Sequence, residues 1–401
     1  MAQRSERDCP KPDSEMPSPK LDDRGNNGPA IRVLMTSTSY PASLADWRGL
    51  FIRHLADALA RRDDLQVTLW APPGDVHPRL TRVTTPYEDQ WLATLMRDGG
   101  IAHLLRTRKF RALISSITLL RTLHSVFLRE TADVYHVNWL QNALPLPGNR
   151  RPALVTVLGT DMQLLRLPLM QTLIRRTLRH RKVAICPNAD WMVAELQTGF
   201  GDLARIQAVP FGIDPRWYAL QRQIGNGTTT RWLVVSRLTR NKIGPLFEWC
   251  APFFATGTRK LHLFGPMQEA IDVPGWVDYH GPATPDELRE IWFPQAHGLI
   301  TLSRHSEGRP QVMLEAMASG LPIIASRAPA HENILKHATT GWLVESPAEF
   351  EAGIDALADL DENMRIGAAA RAHIEQEVGT WDDCANRYTT IYRDLVKASA
   401  A

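Results

Sequence analysis

Four charged residues in the second half of the sequence have types and spacings that suit one kind of ligand. Glu307 and Glu315 are two carboxylates eight residues apart, and Arg237 and Lys242 are two cations that follow an apolar run. A carboxylate accepts hydrogen bonds from hydroxyl groups, whereas an arginine offers a planar fork and a lysine a point charge to phosphate oxygens. The two carboxylates therefore suit the hydroxyl groups of a ligand, and the two cations suit an anionic group.

The local sequence predicts how the acidic pair is positioned. A buried strand at Leu299–Leu302 leads into a turn with Glu307 and the permissive Gly308, and Pro310 suits the first position of a helix. Gly320 is a good helix stop. In doubly wound sheets, the amino terminus of such a helix points its free N–H groups into the crevice where ligands bind.

The rest of the chain alternates strand-like and helix-length segments, which is typical of α/β folds with parallel sheets. We predict a disordered arm over residues 1–30, which hold five prolines and little that is large and apolar. A first Rossmann-like domain is expected at 31–214, a linker at 215–230, and a second Rossmann-like domain at 231–379. A final helix at 380–401 is expected to cross back to the first domain.

The predicted strands divide into two sets. The first set is Ile31–Met35, Gln66–Trp70, Asp133–Val137, Ala153–Leu158, Val183–Cys186 and Arg205–Val209. The second set is Trp232–Ser236, Lys260–Phe264, Trp276–Tyr279, Gly298–Leu302, Pro322–Ala325 and Gly341–Val344.

The segment from Glu307 to Gly320 resembles the signature of glycosyltransferase family 4, in which two glutamates are separated by seven residues. The resemblance implies a GT-B fold, in which two Rossmann-like domains face each other across a cleft, and a retaining hexosyltransferase. It further implies that Glu307 lies near the donor sugar and that Glu315 binds the ribose. The short run after Glu307 is implied to contact the diphosphate and sugar. Its residues are Gly308, Arg309, Pro310 and Gln311.

A second match covers the two cations. Residues 234–242 resemble the family's strand followed by Arg-Leu and a lysine, so the resemblance implies that Arg237 and Lys242 hold the diphosphate. Negative charge grows on the leaving nucleoside diphosphate, and fixed cations stabilise it without a metal. We therefore expect no metal site, and no cofactor beyond the nucleotide-sugar donor.

The sequence departs from the family pattern in the first domain. Leu158 stands where many members have the histidine beside the donor sugar, and it cannot donate a hydrogen bond. Asp161 or His136 is a candidate sugar or acceptor contact in its place, although a histidine in a strand is also commonly structural. Gly49 is a further donor-binding candidate, in a first loop that lacks the usual Gly-Gly pair.

Charge and composition narrow the partners. The formal net charge of +3 is too small to indicate nucleic acid. Two first-domain segments, 104–128 and 164–182, combine basic residues with helical apolar spacing, so one face could lie on an anionic membrane or could instead pack on the sheet. Scattered cysteines and the absence of a predicted span or signal core suggest a cytoplasmic protein, at most peripheral at the inner membrane face.

The resemblance thus favours transfer of a hexose from a nucleoside diphosphate sugar to a carbohydrate or lipid-linked carbohydrate, in cell-surface polysaccharide or glycolipid synthesis. Two alternatives remain open: a GT-B-like sugar-nucleotide 2-epimerase, and a non-catalytic nucleotide-sugar-binding protein. A dinucleotide-dependent dehydrogenase is disfavoured because no G-x-G-x-x-G follows a predicted strand.

Overall fold

The computed structural model describes residues 29–224 and 229–400, and this part of the chain contains two parallel β-sheets. The first sheet has the strand order β3-β2-β1-β4-β5-β6-β7. Its strands are β1 Ile31–Thr36, β2 Leu65–Trp70, β3 Thr81–Arg82, β4 Val134–Asn138, β5 Ala153–Val157, β6 Val183–Pro187 and β7 Arg205–Ile206. Its helices are α1 Leu50–Ala60, α2 Pro86–Arg97, α3 Gly100–Thr107, α4 Lys109–Arg129, α5 Met170–Leu178 and α6 Val193–Phe200.

The second sheet has the strand order β10-β9-β8-β11-β12-β13, and all of its pairs are parallel. Its strands are β8 Thr230–Val235, β9 Arg259–Phe264, β10 Val277–Gly281, β11 Gly298–Thr301, β12 Ile323–Ser326 and β13 Trp342–Val344. The remaining helices are α7 Pro215–Tyr218, α8 Arg240–Ile243, α9 Leu246–Phe254, α10 Pro285–Glu287, α11 Gln311–Ala318, α12 Pro329–Glu332, α13 Pro347–Ala358, α14 Leu360–Glu377 and α15 Trp381–Ala400.

Each sheet is covered on both faces, because its strands are apolar on both sides. In the first sheet, β1 alternates Val33 and Met35 into one core with Leu34 into the other. The last helix, α15, packs Tyr388 and Tyr392 into the core under α1. Helix α15, which follows the second sheet in sequence, therefore packs back on the first sheet. Two doubly wound parallel sheets in one chain are the GT-B architecture that the sequence predicted.

Two sequence predictions need correction. The segment predicted as a linker, 215–230, contains α7, whose Trp217 is buried in the core of the second domain together with Leu220. Residues 225–228 of that segment lie outside the described residues, as do residues 1–28 of the predicted arm. The strand β3 was missed, because two residues with exposed and half-buried side chains give no apolar pattern.

The two basic segments are also less regular than their apolar spacing indicated. The first is divided into α3 and α4 at Arg108, whose backbone is not helical. The second begins within a 3-10 turn, Thr160–Arg166, and continues into α5; Leu169, between them, has a left-handed backbone (φ 66°). Within the described residues, no helix is both long and apolar enough to span a bilayer.

Candidate functional site

A cleft opens between the two domains at the carboxyl ends of the strands of the second sheet. Its lining combines the loop before α1, the segment around α7, the ends of β8 and β9, the turns after β10, and the start of α11. The lining residues are Leu44, Trp47, Leu50, Phe51, His54, Asp214, Arg216, Trp217, Val235, Ser236, Arg237, Phe264, Gly265, Pro266, Pro282, Ala283, Pro285, Asp286, Leu288, Arg289, Gln311, Val312, Glu315 and Trp381. Of the residues predicted from sequence, Arg237, Gln311 and Glu315 line this cleft.

The helix α11 positions Gln311 and Glu315 one turn apart on the face that lines the cleft. Gln311 and Val312, the first two residues of the helix, line the cleft, so the positive dipole end of α11 meets any anion bound there. The helix ends where the sequence predicted, because Gly320 has the left-handed backbone (φ 68°) that a helix stop uses. Pro310 occupies the cap position, so the helix begins at Gln311, one residue later than predicted.

The carboxyl group of Glu315 is held in an environment that disfavours its charge. Burial and then repulsion by Asp214 raise its pKa to about 8. Its side chain has no hydrogen-bond partner among the described residues, and the residue is half-buried at the cleft wall. A ligand hydroxyl that reached this carboxyl would supply the partner that the protein itself does not.

This pKa gives a testable pH dependence of stability. Below about pH 4.5, the ordinary glutamate value, the group is protonated in both states; between there and about pH 8 only the folded protein keeps the proton. The stability that this protonated carboxyl group contributes is therefore fully present below about pH 4.5, and it is lost as the pH rises through the folded-state pKa. We expect Glu315→Gln to flatten the fall in free energy of unfolding between pH 5 and 8.5, measured by urea unfolding. Parallel curves for the two proteins would contradict this assignment.

The two cations lie close together beyond the carboxyl end of β8. Arg237 lines the cleft, and Lys242 belongs to the short helix α8, which Thr239 caps by accepting a hydrogen bond from the Lys242 backbone N–H at 3.3 Å. Burial lowers the pKa of Lys242, and the nearby charge of Arg237 lowers it further. The strand end and the cap thus bring the two cations within electrostatic range, as their spacing predicted.

Lys242 and Glu307 form a buried ion pair with each other, in which the Lys242 Nζ donates to Oε1 of Glu307. Burial raises the pKa of Glu307, but attraction to the ammonium and the hydrogen bond outweigh it, so the pKa lies below its ordinary value. Ser303 Oγ also approaches the same oxygen, at 3.5 Å. Neither member of the pair lines the cleft, although Arg237, within electrostatic range of Lys242, does. The structure therefore brings the four predicted residues into one region but not around one open hollow.

The two domains touch next to this pair. A side chain at Gly159 would come within 2.2 Å of the Gly308 backbone nitrogen, and one at Gly308 within 2.7 Å of the Leu158 carbonyl oxygen. Trp191 Nε1 donates to the Gly308 carbonyl at 3.0 Å across the same contact. Gly308 thus serves close backbone packing between the domains, and Leu158 lies beside it.

We expect Gly159→Ala to force these loops apart. The added methyl group cannot fit at 2.2 Å, and the backbone at Gly159 (φ 97°) disfavours any side chain. The expected result is a lower melting temperature together with a larger radius of gyration in small-angle X-ray scattering. Gly257→Ala is the matched control, because its φ of 86° is similar but no atom lies within 4 Å of the added carbon. Equal scattering curves for the two variants would contradict the contact.

Asp161 is occupied by the backbone around it. It is 1% exposed, and its carboxylate accepts hydrogen bonds from the backbone N–H groups of Leu158 at 3.0 Å and Leu140 at 3.1 Å. Burial raises its pKa to about 6, and these hydrogen bonds oppose the rise. Its visible role is to fix the turn that carries Leu158 and Gly159. It is not among the cleft-lining residues.

His136, the other candidate sugar or acceptor contact, lies in the interior of the first domain and is not among the cleft-lining residues. Its ring is completely buried, with Nε2 at 2.8 Å from Thr156 Oγ1 and Nδ1 at 2.6 Å from the Tyr392 hydroxyl of α15. Burial lowers its pKa to about 3, so it stays neutral. Both ring nitrogens are used inside the first domain, and the structural alternative for this residue holds.

Three other predicted donor contacts lie beside the cleft. Arg309 is half-buried, and burial lowers its pKa while Asp190 and Glu377 raise it, so its charged neighbours lie outside the cleft lining. Pro310 is buried. Gly49 caps α1 with a left-handed backbone (φ 74°) packed on Ser39, between lining residues that precede and follow it.

Sequence reasoning missed the first-domain wall of the cleft. Trp47 and Phe51 line it together with His54, whose pKa burial lowers to about 4 and whose ring stacks on Trp381 at 5.4 Å. The available signal was Trp47, with Leu44, in a loop between β1 and α1 that is rich in serine and alanine. An apolar residue in such a loop is exposed unless another part of the chain faces it.

Comparison with known proteins agrees with the geometry of the second domain. Residues 232–360 match the family model described as glycosyl transferases group 1. A D-inositol 3-phosphate glycosyltransferase of Corynebacterium kroppenstedtii is 27% identical over 136 residues, 33% of this chain and 30% of that protein. The enzyme of the same name from Streptomyces griseus is 30% identical over 119 residues, 29% of this chain and 24% of that protein. The matched segments thus span about a quarter to a third of these relatives.

Solved structures match over both domains. A sucrose-phosphate synthase from Thermosynechococcus elongatus superposes with a TM-score of 0.67 at 16% identity, covering 92% of this chain and 100% of that one. Anabaena Alr3699/HepE, solved with UDP-glucose, gives 0.60 at 15% identity, covering 91% of this chain and 100% of that one. Such identities establish the fold. The chain has the GT-B fold, and residues 232–360 within its second domain match the group 1 glycosyltransferase family model.

Proposed function

We propose that this protein is a retaining glycosyltransferase of family 4 that transfers a hexose from a nucleoside diphosphate sugar. The acceptor is a carbohydrate or a lipid-linked carbohydrate, in cell-surface polysaccharide or glycolipid synthesis. The observation that carries the proposal is the shared cleft of Arg237, the amino terminus of α11, and Glu315. These supply a cation and the N–H groups of a helix amino terminus for a diphosphate, and a carboxyl group for the ribose hydroxyls.

In this mechanism, Arg237 and Lys242 stabilise the negative charge that grows on the leaving diphosphate. Glu315 holds the ribose, and Glu307 positions the sugar. The acceptor hydroxyl attacks on the face that the leaving group vacates, so no protein nucleophile is needed. Anabaena Alr3699/HepE was solved in complex with UDP and glucose, and a crystal structure of this protein with the same two ligands would test the donor side.

In this proposal, donor binding changes the contact between Glu307 and Lys242 and the packing of the loops beside them. The Lys242–Glu307 pair and the packing of Gly308 on Gly159 occupy the region that the donor sugar would enter. We therefore propose that the sugar displaces this interdomain contact. Lys242 then exchanges part of its interaction with Glu307 for the diphosphate.

The same contact is the observation that favours a second candidate, a non-catalytic nucleotide-sugar-binding protein. If protein groups occupy the region of the donor sugar, with Leu158 beside them, the protein suits nucleotide binding without turnover. Incubation with a panel of nucleotide sugars separates the two. The proposed enzyme releases nucleoside diphosphate, and adding acceptor increases the release, whereas a binding protein shows affinity without release. Activity that persists in EDTA would support the proposed metal independence.

We also propose that the first domain docks on an anionic membrane, through one face of α4. The apolar stripe of this helix points outward, with Phe110 76% exposed and Leu113 57% exposed. The opposite face packs on the sheet through Leu119, Leu123 and Phe127, so the stripe is not needed for the core. Exposed cations flank it, and none of them lies within ion-pair distance of a carboxylate in the described part of the chain: Arg108, Lys109, Arg111 and Arg121.

Apolar side chains beside unpaired cations suit the surface of an anionic bilayer. At low salt, the protein is expected to float with phosphatidylglycerol vesicles and not with phosphatidylcholine vesicles. Replacing Phe110 and Ile114 by aspartate should abolish flotation, whereas Tyr87→Asp, at a residue 70% exposed on α2, should not. A wild-type protein that remains in the soluble fraction with anionic vesicles would contradict the docking proposal.

A further inference from the structure

The two walls of the cleft differ in character. The second-domain wall carries Arg237 and Glu315, whereas the first-domain wall presents the apolar side chains of Leu44, Trp47 and Phe51. Leu44 is 50% exposed and Trp47 is 37% exposed, although both are large and apolar. We propose, on the basis of the proposed function, that Trp47 is the aromatic surface on which the nucleobase of the donor stacks. The donor is then held by both domains.

The loop that carries Trp47 is braced on both sides of it. The Asp46 carboxylate accepts hydrogen bonds from the backbone N–H groups of Arg48 at 3.1 Å and Ala42 at 3.4 Å. The Arg48 guanidinium donates to both oxygens of the same carboxylate, at 2.9 and 3.0 Å. Gly49 then packs closely on Ser39. A loop fixed in this way loses little conformational entropy when a ligand binds against its tryptophan.

The nucleobase is the part of the donor that fits this wall. Arg237 lies at the end of β8 and fixes the diphosphate end, while Glu315 suits the ribose. The lining also includes Gly265, Pro266 and Pro282, which carry no polar side chain. Among the lining aromatic residues, Trp47 is the most exposed, at 37%. Stacking on it would tolerate any base, because every base has a π face.

Isothermal titration of the full chain tests this inference. The probes are inorganic pyrophosphate and whichever of UDP, GDP, ADP and TDP binds most tightly. We expect Trp47→Ala to weaken the nucleoside diphosphate roughly ten- to a hundred-fold and to leave pyrophosphate unchanged, since only the base is lost. Trp47→Phe should retain most of the affinity, and Tyr87→Ala, on the surface of α2, should retain all of it. Arg237→Ala should weaken both probes.

The outcomes distinguish failure of the stacking role from failure of the proposed function. If Trp47→Ala binds the nucleoside diphosphate as the unsubstituted protein does, while Arg237→Ala does not, the stacking role is overturned and the proposed function stands. A rise in the KM for the acceptor alone would overturn it too, by assigning Trp47 to the acceptor. If the unsubstituted protein binds none of the four nucleotides, both the inference and the proposed function fail. Melting temperatures of the Trp47 variants check that each is folded.

Discussion

Replacing Arg237 by alanine is expected to lower kcat/KM for sugar transfer by roughly 100- to 1000-fold, the loss typical of removing one preorganised charge-stabilising donor. Arg237 lines the cleft at the end of β8, where the proposed donor diphosphate lies. The leaving group gains charge as the glycosidic bond breaks, and the cation acts most strongly at that stage. Initial rates with the donor found in the nucleotide-sugar panel provide the measurement.

Two further variants sharpen this prediction. Arg237→Lys keeps a positive charge but loses the planar fork, so an intermediate rate is expected. Arg240→Ala removes an exposed arginine three residues away that does not line the cleft, and should leave the rate unchanged. If Arg237→Ala transferred sugar at the rate of the Arg240 variant, the proposed role in leaving-group stabilisation would be wrong.

The second large effect concerns the buried pair of Lys242 and Glu307. Their side chains are only 12% and 18% exposed, so removing one partner leaves a poorly solvated charge. We expect Lys242→Met to lower the free energy of unfolding by about 3–5 kcal/mol. The pKa of Glu307 should rise in that variant, because burial then acts without the opposing ammonium. Urea unfolding and activity are measured on the same preparations.

The double variant distinguishes stability from chemistry. Lys242→Met combined with Glu307→Gln removes both charges, and should recover part of the lost stability while remaining inactive. An exposed pair on α14, Arg365 with Glu362, is the control, and Arg365→Met there should have a far smaller effect. A stable and active Lys242→Met variant would remove this pair from the proposed mechanism.

Local sequence signals predicted most of the elements of the fold. The run at 298–302 was predicted as a strand, and β11 covers Gly298–Thr301, because a short apolar run between turn signals specifies a buried parallel strand. Helix α11 and its stop at Gly320 followed from residue chemistry in the same way. The last helix was also expected to return to the first domain, and α15 packs there.

The site was harder to predict, because its walls come from segments far apart in the chain. The spacing in the sequence predicted that Arg237 lies near Lys242, but nothing in the local sequence indicated that Lys242 would pair with Glu307. His136 was predicted as a possible ligand contact because the sequence near it does not show its partner. That partner, Tyr392, is contributed by the last helix. The apolar spacing in α4 identified a stripe without specifying which face meets the sheet, and the structure turns that stripe outward.

A crystal structure of the protein with its tightest-binding nucleoside diphosphate is the most direct test of the central claim. We predict that the diphosphate contacts Arg237 and the amino-terminal N–H groups of α11, with the ribose hydroxyls on the carboxyl group of Glu315. A nucleotide bound outside this cleft, or bound within it with its phosphates away from Arg237, would contradict the account.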